Sequence, residues 1–297
     1  MTQTPDIAVC CAGLKGAVFV EALLEMGISV GSIFTYRQPD DLARGFERLQ
    51  DLARQRSIDL RETRRPAIAP QSLIFLVGWQ HLLADVTPST VVFHDSLLPR
   101  YRGFAPTVTA LIKGDREIGV SALRPVEEID QGPIIAQRAR RISYPMKIET
   151  ALTIQASLMA ELAGDIVERW RHDQLTVTPQ QDALATYSIW RDDADFEVNW
   201  FKSAEDIERF VNAVGHPYAG ARTSIGGVER QRIRIVDVTP VPDMPFEIRE
   251  AGKVWRLDKG RPIVVCGTGM LRIDHCRRED GSTFVFERTR CRLIASQ

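Results

Sequence analysis

Along the first half of the chain, short apolar runs alternate with helix-length amphipathic stretches, the pattern of a parallel sheet wrapped by helices. Ile7–Ala12, Val30–Tyr36, Leu73–Gly78, Val91–His94, Gly119–Leu123 and Pro133–Ala139 read as strands. Between them, Val18–Met26 has apolar residues at helical spacing and Leu42–Arg56 reads as an exposed, charged helix. Met146–Trp170 is the longest helical pattern, with no proline after Pro145, and closes a first domain. After Trp170 the texture changes to a polar stretch, then Tyr187–Trp190 and a helix signal at Ser203–Val214. Beyond Pro217, short β-rich runs take over at Gln231–Val238, Lys253–Leu257, Pro262–Val265, Met270–His275 and Thr283–Arg288. Gly and Asp turns space these runs as in small barrels or sandwiches. The boundary falls within 176–190, dividing the chain into 1–182 and 183–297.

Composition narrows what such a chain can do. Lys plus Arg is 38 against 39 for Asp plus Glu among 297 residues, a net charge of −1. That balance argues against general nucleic-acid binding, which brings a basic excess, although Arg61, Arg64 and Arg65 form a local patch. With 44% hydrophobic residues the chain reads as an ordinary globular protein. No apolar run approaches the roughly 18 to 20 residues of a membrane helix, and the first residues lack the basic start of a signal peptide. The five Cys residues include no C-x-x-C pair; adjacent Cys10 and Cys11 lie in a strand-like run as small buried hydrophobes. A reduced, cytoplasmic setting without a zinc site is the expectation.

Candidate chemistry concentrates in Val91-Val-Phe-His94-Asp-Ser-Leu-Leu-Pro-Arg-Tyr-Arg-Gly103. His94 falls at the carboxyl end of a strand, where open α/β sheets bind ligands. It is either a proton-handling group or a hydrogen-bonded strand-end histidine. Asp130, in Ile129-Asp-Gln-Gly132 before an apolar strand, is either a turn residue or a carboxylate that holds a histidine cationic. Gly13-Leu-Lys-Gly16 follows the first strand, where a phosphate can meet a helix N-terminus or the chain can simply turn.

His94-x-Ser-Leu-Leu-Pro-x-Tyr-Arg-Gly103, followed by Asp130-x-Gly-x-Ile-Ile, resembles the signature of the folate-dependent formyltransferases. Gly16–Leu24 with Ile33-Phe-Thr35 is similar to the opening of the nucleotide-sugar branch, notably the UDP-aminoarabinose formyltransferases. Asn199-Trp200, Pro217–Ala221 and Cys266–Gly269 resemble the C-terminal domain of the sugar and methionyl-tRNA enzymes. The resemblance implies a Rossmann-like, mostly parallel α/β catalytic domain and a smaller OB-like β-rich domain. It implies transfer of a formyl group from 10-formyltetrahydrofolate to a primary amine, through a tetrahedral intermediate. The amine would be an amino sugar on a nucleotide or, alternatively, methionyl-tRNA.

Carried over by motif, His94 stabilises the oxyanion and Asp130 holds that His. Trp79, Gln80, His81, Leu82, Leu83, Glu128 and Ile129 border the folate. Gly13, Lys15, Ser96, Leu97, Tyr101, Arg102 and Gly103 face the acceptor. Trp79–Leu83 also reads plainly as a strand end and short helix on the core. The family carries Asn two residues before the His, and this chain has Val92, which donates nothing. Gln80, His81 and Lys15 are the polar candidates to replace it; otherwise the reaction is slower or altered, or the chain binds without turnover. Asp95, beside the His, points inward or to solvent, solvent being the simpler reading. The apolar C-terminal strands leave room for a homodimer interface.

Overall fold

The computed structural model describes residues 6–39, 41–70, 72–81, 83, 86–226 and 231–294. The chain divides into two compact units, one made of Met1–Thr107, Arg116–Ile142 and Glu149–Trp190, the other of Val108–Asp115, Ser143–Ile148 and Arg191–Gln297.

The first unit opens with β1 (Ile7–Cys11), α1 (Gly13–Glu25), β2 (Ser32–Thr35), α2 (Gly45–Arg56), β3 (Asp59–Glu62), β4 (Leu73–Val77) and β5 (Thr90–His94). It continues through β6 (Arg102–Gly103), α3 (Pro106–Lys113), β7 (Glu117–Leu123), β8 (Ile134–Arg141), α4 (Ile148–Arg171) and β9 (Tyr187–Ser188), α3 and the start of α4 crossing between units. Seven strands form one sheet in the order β3-β2-β1-β4-β5-β7-β8. From β3 to β5 all pairings are parallel, whereas β5–β7 and β7–β8 are antiparallel. The residues between β7 and β8 are too few for the crossover that parallel pairing requires, so this end of the sheet folds back on itself.

Every residue of β1 and β4 is buried, as expected for parallel strands covered on both faces. One face takes the larger core, where Ile7, Val9, Phe75, Val91 and Phe93 meet Phe19 and Leu23 of α1, Leu49 of α2 and Met159 and Ile166 of α4. The other face has a smaller cluster, in which Ile68, Trp79, Leu83 and Val92 pack on Ala8, Cys10, Phe34, Ile74 and Leu76. Cys10 and Cys11 are both fully buried, and burial pushes the Cys10 thiol up to about 12 and Cys11 higher still. Edge strand β3, mostly exposed and charged, escaped the apolar pattern because an edge strand needs no apolar face.

The second unit holds α5 (Ala204–Ala213) and β10 (Ala221–Ile225), β11 (Gln231–Val241), β12 (Val254–Asp258), β13 (Arg261–Val265), β14 (Met270–Arg277) and β15 (Leu293–Ile294). These six strands form the sheet β12-β13-β14-β11-β10-β15, antiparallel throughout, which is the β-rich second domain expected. Ser203 caps α5 by accepting the Asp206 amide at 3.1 Å, and the helix buries Ile207 and Val211. The strand expected at Thr283–Arg288 does not form. Thr283 makes one isolated bridge to Arg277, and Phe284 and Phe286 instead pack edge to face at 5.1 Å. The Phe284 amide donates to the Cys276 carbonyl of β14 at 3.0 Å, so the segment touches that edge only at its start and does not extend as a strand. Among the described residues, no helix is long and apolar enough to cross a membrane.

Candidate active site

Strand β5 sends alternate side chains to opposite faces: Val91 and Phe93 enter the larger core, while Val92 and His94 share the other face. His94 is 8% exposed, and its Nε2 lies 2.8 Å from the Tyr101 carbonyl oxygen. A carbonyl only accepts, so Nε2 carries a proton. The other nitrogen, Nδ1, lies 3.5 Å from Asp130 Oδ1. Both ring nitrogens thus face oxygen acceptors.

Asp130 has a left-handed backbone (φ 58°) and its second oxygen accepts the Gly103 amide at 2.8 Å. The two sequence candidates are therefore brought together.

The loop after β5 is held by its own polar groups. Ser96 Oγ donates to the Arg100 carbonyl at 2.6 Å, and the Leu98 amide donates to Ser121 Oγ at 3.0 Å. Leu97 packs so closely over Gly119 that a Cβ there would lie 2.4 Å from its Cδ2. Tyr101 takes a positive φ of 59° while its amide donates to Thr186 Oγ1 at 2.9 Å. Gly103, at φ 99°, admits no side chain, because a Cβ would stand 2.5 Å from the Ser188 carbonyl oxygen across the β6–β9 pair. Arg102, expected to face the acceptor, is 2% exposed and turned inward. Its guanidinium donates to Gln180 Oε1 at 3.1 and 2.9 Å and to Asp182 Oδ1 at 2.7 Å. A buried guanidinium needs such partners, so local satisfaction decides its direction.

Gly13 does not make a free turn; it is the first residue of α1, with φ 65°. Lys15, in that first turn, pairs with Asp95, and the two side chains are only 16% and 13% exposed. Asp95 therefore points inward rather than to solvent, because the ammonium of Lys15 offsets its burial. Its carbonyl accepts Gln155 Nε2 at 2.9 Å. Gln155 is fully buried on α4 and also donates to the Gly119 carbonyl at 3.0 Å and accepts Thr107 Oγ1 at 2.7 Å. It was overlooked in the sequence, yet a polar residue four positions from buried Ala151 and Met159 interrupts the apolar stripe of α4 visibly.

At the ends of β2 and β4, Tyr36, Trp79 and His81 form a ring cluster: Tyr36 lies 5.4 Å from Trp79 and 4.6 Å from His81, both edge-on. Arg64 sits 5.5 Å over the Tyr36 ring, and burial above all pushes the Tyr36 phenol up. Trp79 Nε1 and His81 Nε2 are buried without a hydrogen-bond partner among the described residues. Such orphaned groups beside an apolar wall suit a planar, heteroatom-bearing ligand. Gln80, Glu128 and Ile129 are exposed, and Leu82 lies outside the described residues. Val92 adds only methyl groups to the wall beside His94. Of the groups expected to replace a donor there, Lys15 is engaged by Asp95 and Gln80 faces outward.

The profile of the formyl transferase family matches residues 60–175, and that of the formyl transferase C-terminal domain matches 191–288. In fold, the chain is similar to HypX from Aquifex aeolicus, 18% identical with a TM-score of 0.64, over 95% of this chain and 46% of HypX. It thus spans a little under half the length of that protein. It is similar as well to WlaRD, a sugar 3N-formyl transferase crystallised with dTDP and 5-N-formyl-THF, at 12% identity and a TM-score of 0.66 over 96% of this chain and 99% of that one. The methionyl-tRNA formyltransferase from Clostridium thermocellum matches 96% of this chain and 100% of its own at 15% identity and a TM-score of 0.55. Two family profiles in sequence along most of the chain, on a fold that joins His94 and Asp130 at the end of β5, make it a member of the formyltransferase family.

Proposed function

We propose that this protein transfers a formyl group from 10-formyltetrahydrofolate to a primary amine on a small molecule, an amino sugar carried by a nucleotide. The observation that carries the reading is the His94 ring, held between the Tyr101 carbonyl and Asp130 where β5 opens onto the apolar wall of Val92, Leu76 and Trp79. The donor supplies an electrophilic formyl carbon when bound. Transfer would join the amine nitrogen to the formyl carbon as that carbon's bond to the folate nitrogen breaks, and His94, at the end of β5, is the side chain that would face the charge developing on the formyl oxygen. Asp130, which faces Nδ1 of the His94 ring, would take the proton leaving the amine, and that proton passes on to the departing folate nitrogen. Trp79 and His81, whose rings close the end of this face, are the side chains suited to pack against a flat heterocycle.

The sugar acceptor is supported by the likeness to WlaRD and by a net charge of −1, which lends nothing to tRNA binding. One observation favours a second reading: with Val92 in the wall, the side chain at that position gives no donor to the formyl oxygen, and the chain then binds folate and acceptor without turnover. The test is mass spectrometry of the purified protein with 10-formyltetrahydrofolate and a panel of amino-sugar nucleotides and methionyl-tRNA. A one-formyl mass gain on an amino-sugar nucleotide is expected, falling about 10²- to 10⁴-fold in His94→Ala and Asp130→Asn. Folate binding with no product from any acceptor sinks the transferase reading and leaves the second.

A further inference from the structure

We propose that Gln180, a residue outside both motifs, is the positioning residue that keeps Asp130 against His94; this deepens the reading above and rests on it. Asp130 stands in a loop whose neighbours Glu128, Ile129 and Gln131 are exposed. An aspartate in such a loop would ordinarily turn its carboxylate to water. Here the backbone on both sides of Gln131 is tied down. Gln180 Nε2 donates to the Asp130 carbonyl and to the Gly132 carbonyl, each at 2.7 Å. Its Oε1 accepts two bonds from the guanidinium of Arg102, which also pairs with Asp182. Because a guanidinium only donates, the carboxamide must turn its oxygen to Arg102 and its nitrogen to the two carbonyls.

Three successive residues of one short segment thus reach three parts of the site. The Tyr101 carbonyl meets His94, the Arg102 side chain orients Gln180, and the Gly103 amide holds the Asp130 carboxylate. That segment is itself fixed by pairing with β9 and by the Thr186 carbonyl, which accepts the Arg102 amide at 2.9 Å. Gln180 passes the rigidity of the buried arginine to the main chain of Asp130. Its loss lets the loop relax, and about 1 Å of misplacement costs on the order of 100-fold in rate.

The test uses Gln180→Glu, which keeps a partner for Arg102, so the protein folds, but turns an acceptor toward two carbonyls. Gln180→Leu serves as a second variant, with melting temperature recorded for both. For Gln180→Glu, kcat should fall about 30-fold or more while KM for the folate donor changes less than about threefold. If Gln180 acts through Asp130, adding Gln180→Glu to Asp130→Asn costs less than about twofold more. A kcat within threefold of wild type, or losses that multiply in the double variant, overturns the proposal. Ring NMR of the five histidines separates this from the transferase reading. If the wild type forms no product, that reading has failed, while a His94 signal moved by Gln180→Glu, with His172 and His275 unmoved, still supports the clamp and an unmoved one overturns it.

Discussion

Val92 and His94 are neighbours on one face of β5, so the substitution at one is felt at the other. Val92 completes an apolar wall with Leu76, Trp79 and Leu83. Putting a carboxamide there leaves its polar atoms poorly matched in the free protein, at a cost of about 1–3 kcal/mol. The same carboxamide can donate to the formyl oxygen, a bond worth roughly 10²- to 10³-fold at comparable acyl-transfer sites. Val92→Asn is therefore expected to melt several degrees lower and to raise kcat by about tenfold or more, measured by thermal unfolding and by formyl transfer. Unchanged kcat would mean that the formyl oxygen does not approach this wall. His94 and Asp130 were legible as residue types in a spaced motif. The Tyr101 carbonyl that binds His94 was not, because a main-chain oxygen has no signature in the residue it belongs to. Arg102 misled for a related reason: a cation in a substrate-facing motif was turned inward by Gln180 and Asp182, partners about 80 residues away.

At the scale of elements, the connection from β7 to β8 carries the site as much as β5 does. Gly132 lies in it so close to Arg124 that a Cβ would come 1.7 Å from the Arg124 carbonyl oxygen. The Arg124 amide donates to the Pro133 carbonyl at 3.0 Å across the same turn. Gly132→Ala must push the two limbs of the turn apart and carry Asp130 with them. The expected result is a loss of transfer activity on the order of 100-fold, with the sheet's far-ultraviolet circular dichroism intact; wild-type rates would show that the loop is not coupled to the chemistry. Most strands and helices were readable from period-2 and period-3.6 patterns because each buries one face. Edge strand β3 and the short pair β6–β9 were not, since charged or two-residue strands are held by main-chain bonds that leave no apolar rhythm.

For the whole molecule, acid is the informative perturbation. In the second unit Asp193 lies 2.6 Å from Arg234, a buried guanidinium that also faces Glu279, and it pairs with Arg222 as well. The Arg234 hydrogen bond above all, with the charge of Arg222 assisting, holds the Asp193 carboxyl below its ordinary value of 3.8. A depressed folded-state value means that its stabilisation is present above the unfolded value and is lost as pH falls through the folded one. The second unit should therefore lose stability below about pH 4. Asp193→Asn should melt lower at pH 7 and show a shallower decline between pH 4 and pH 2, read by melting curves across that range. A parallel decline in both proteins would show that Asp193 carries none of the acid sensitivity.

What the sequence determined by itself was what depends on local rhythm and residue identity: a wound sheet followed by a β-rich domain, and the His94 and Asp130 motifs. Tertiary structure alone decided the inward pairing of Lys15 with Asp95 and the chain of bonds from Arg102 through Gln180 to Asp130. The physical reason is that these depend on desolvation. A buried charge or carboxamide must find a partner wherever the fold brings one, and that partner is distant in sequence and often a main-chain group that any residue could supply.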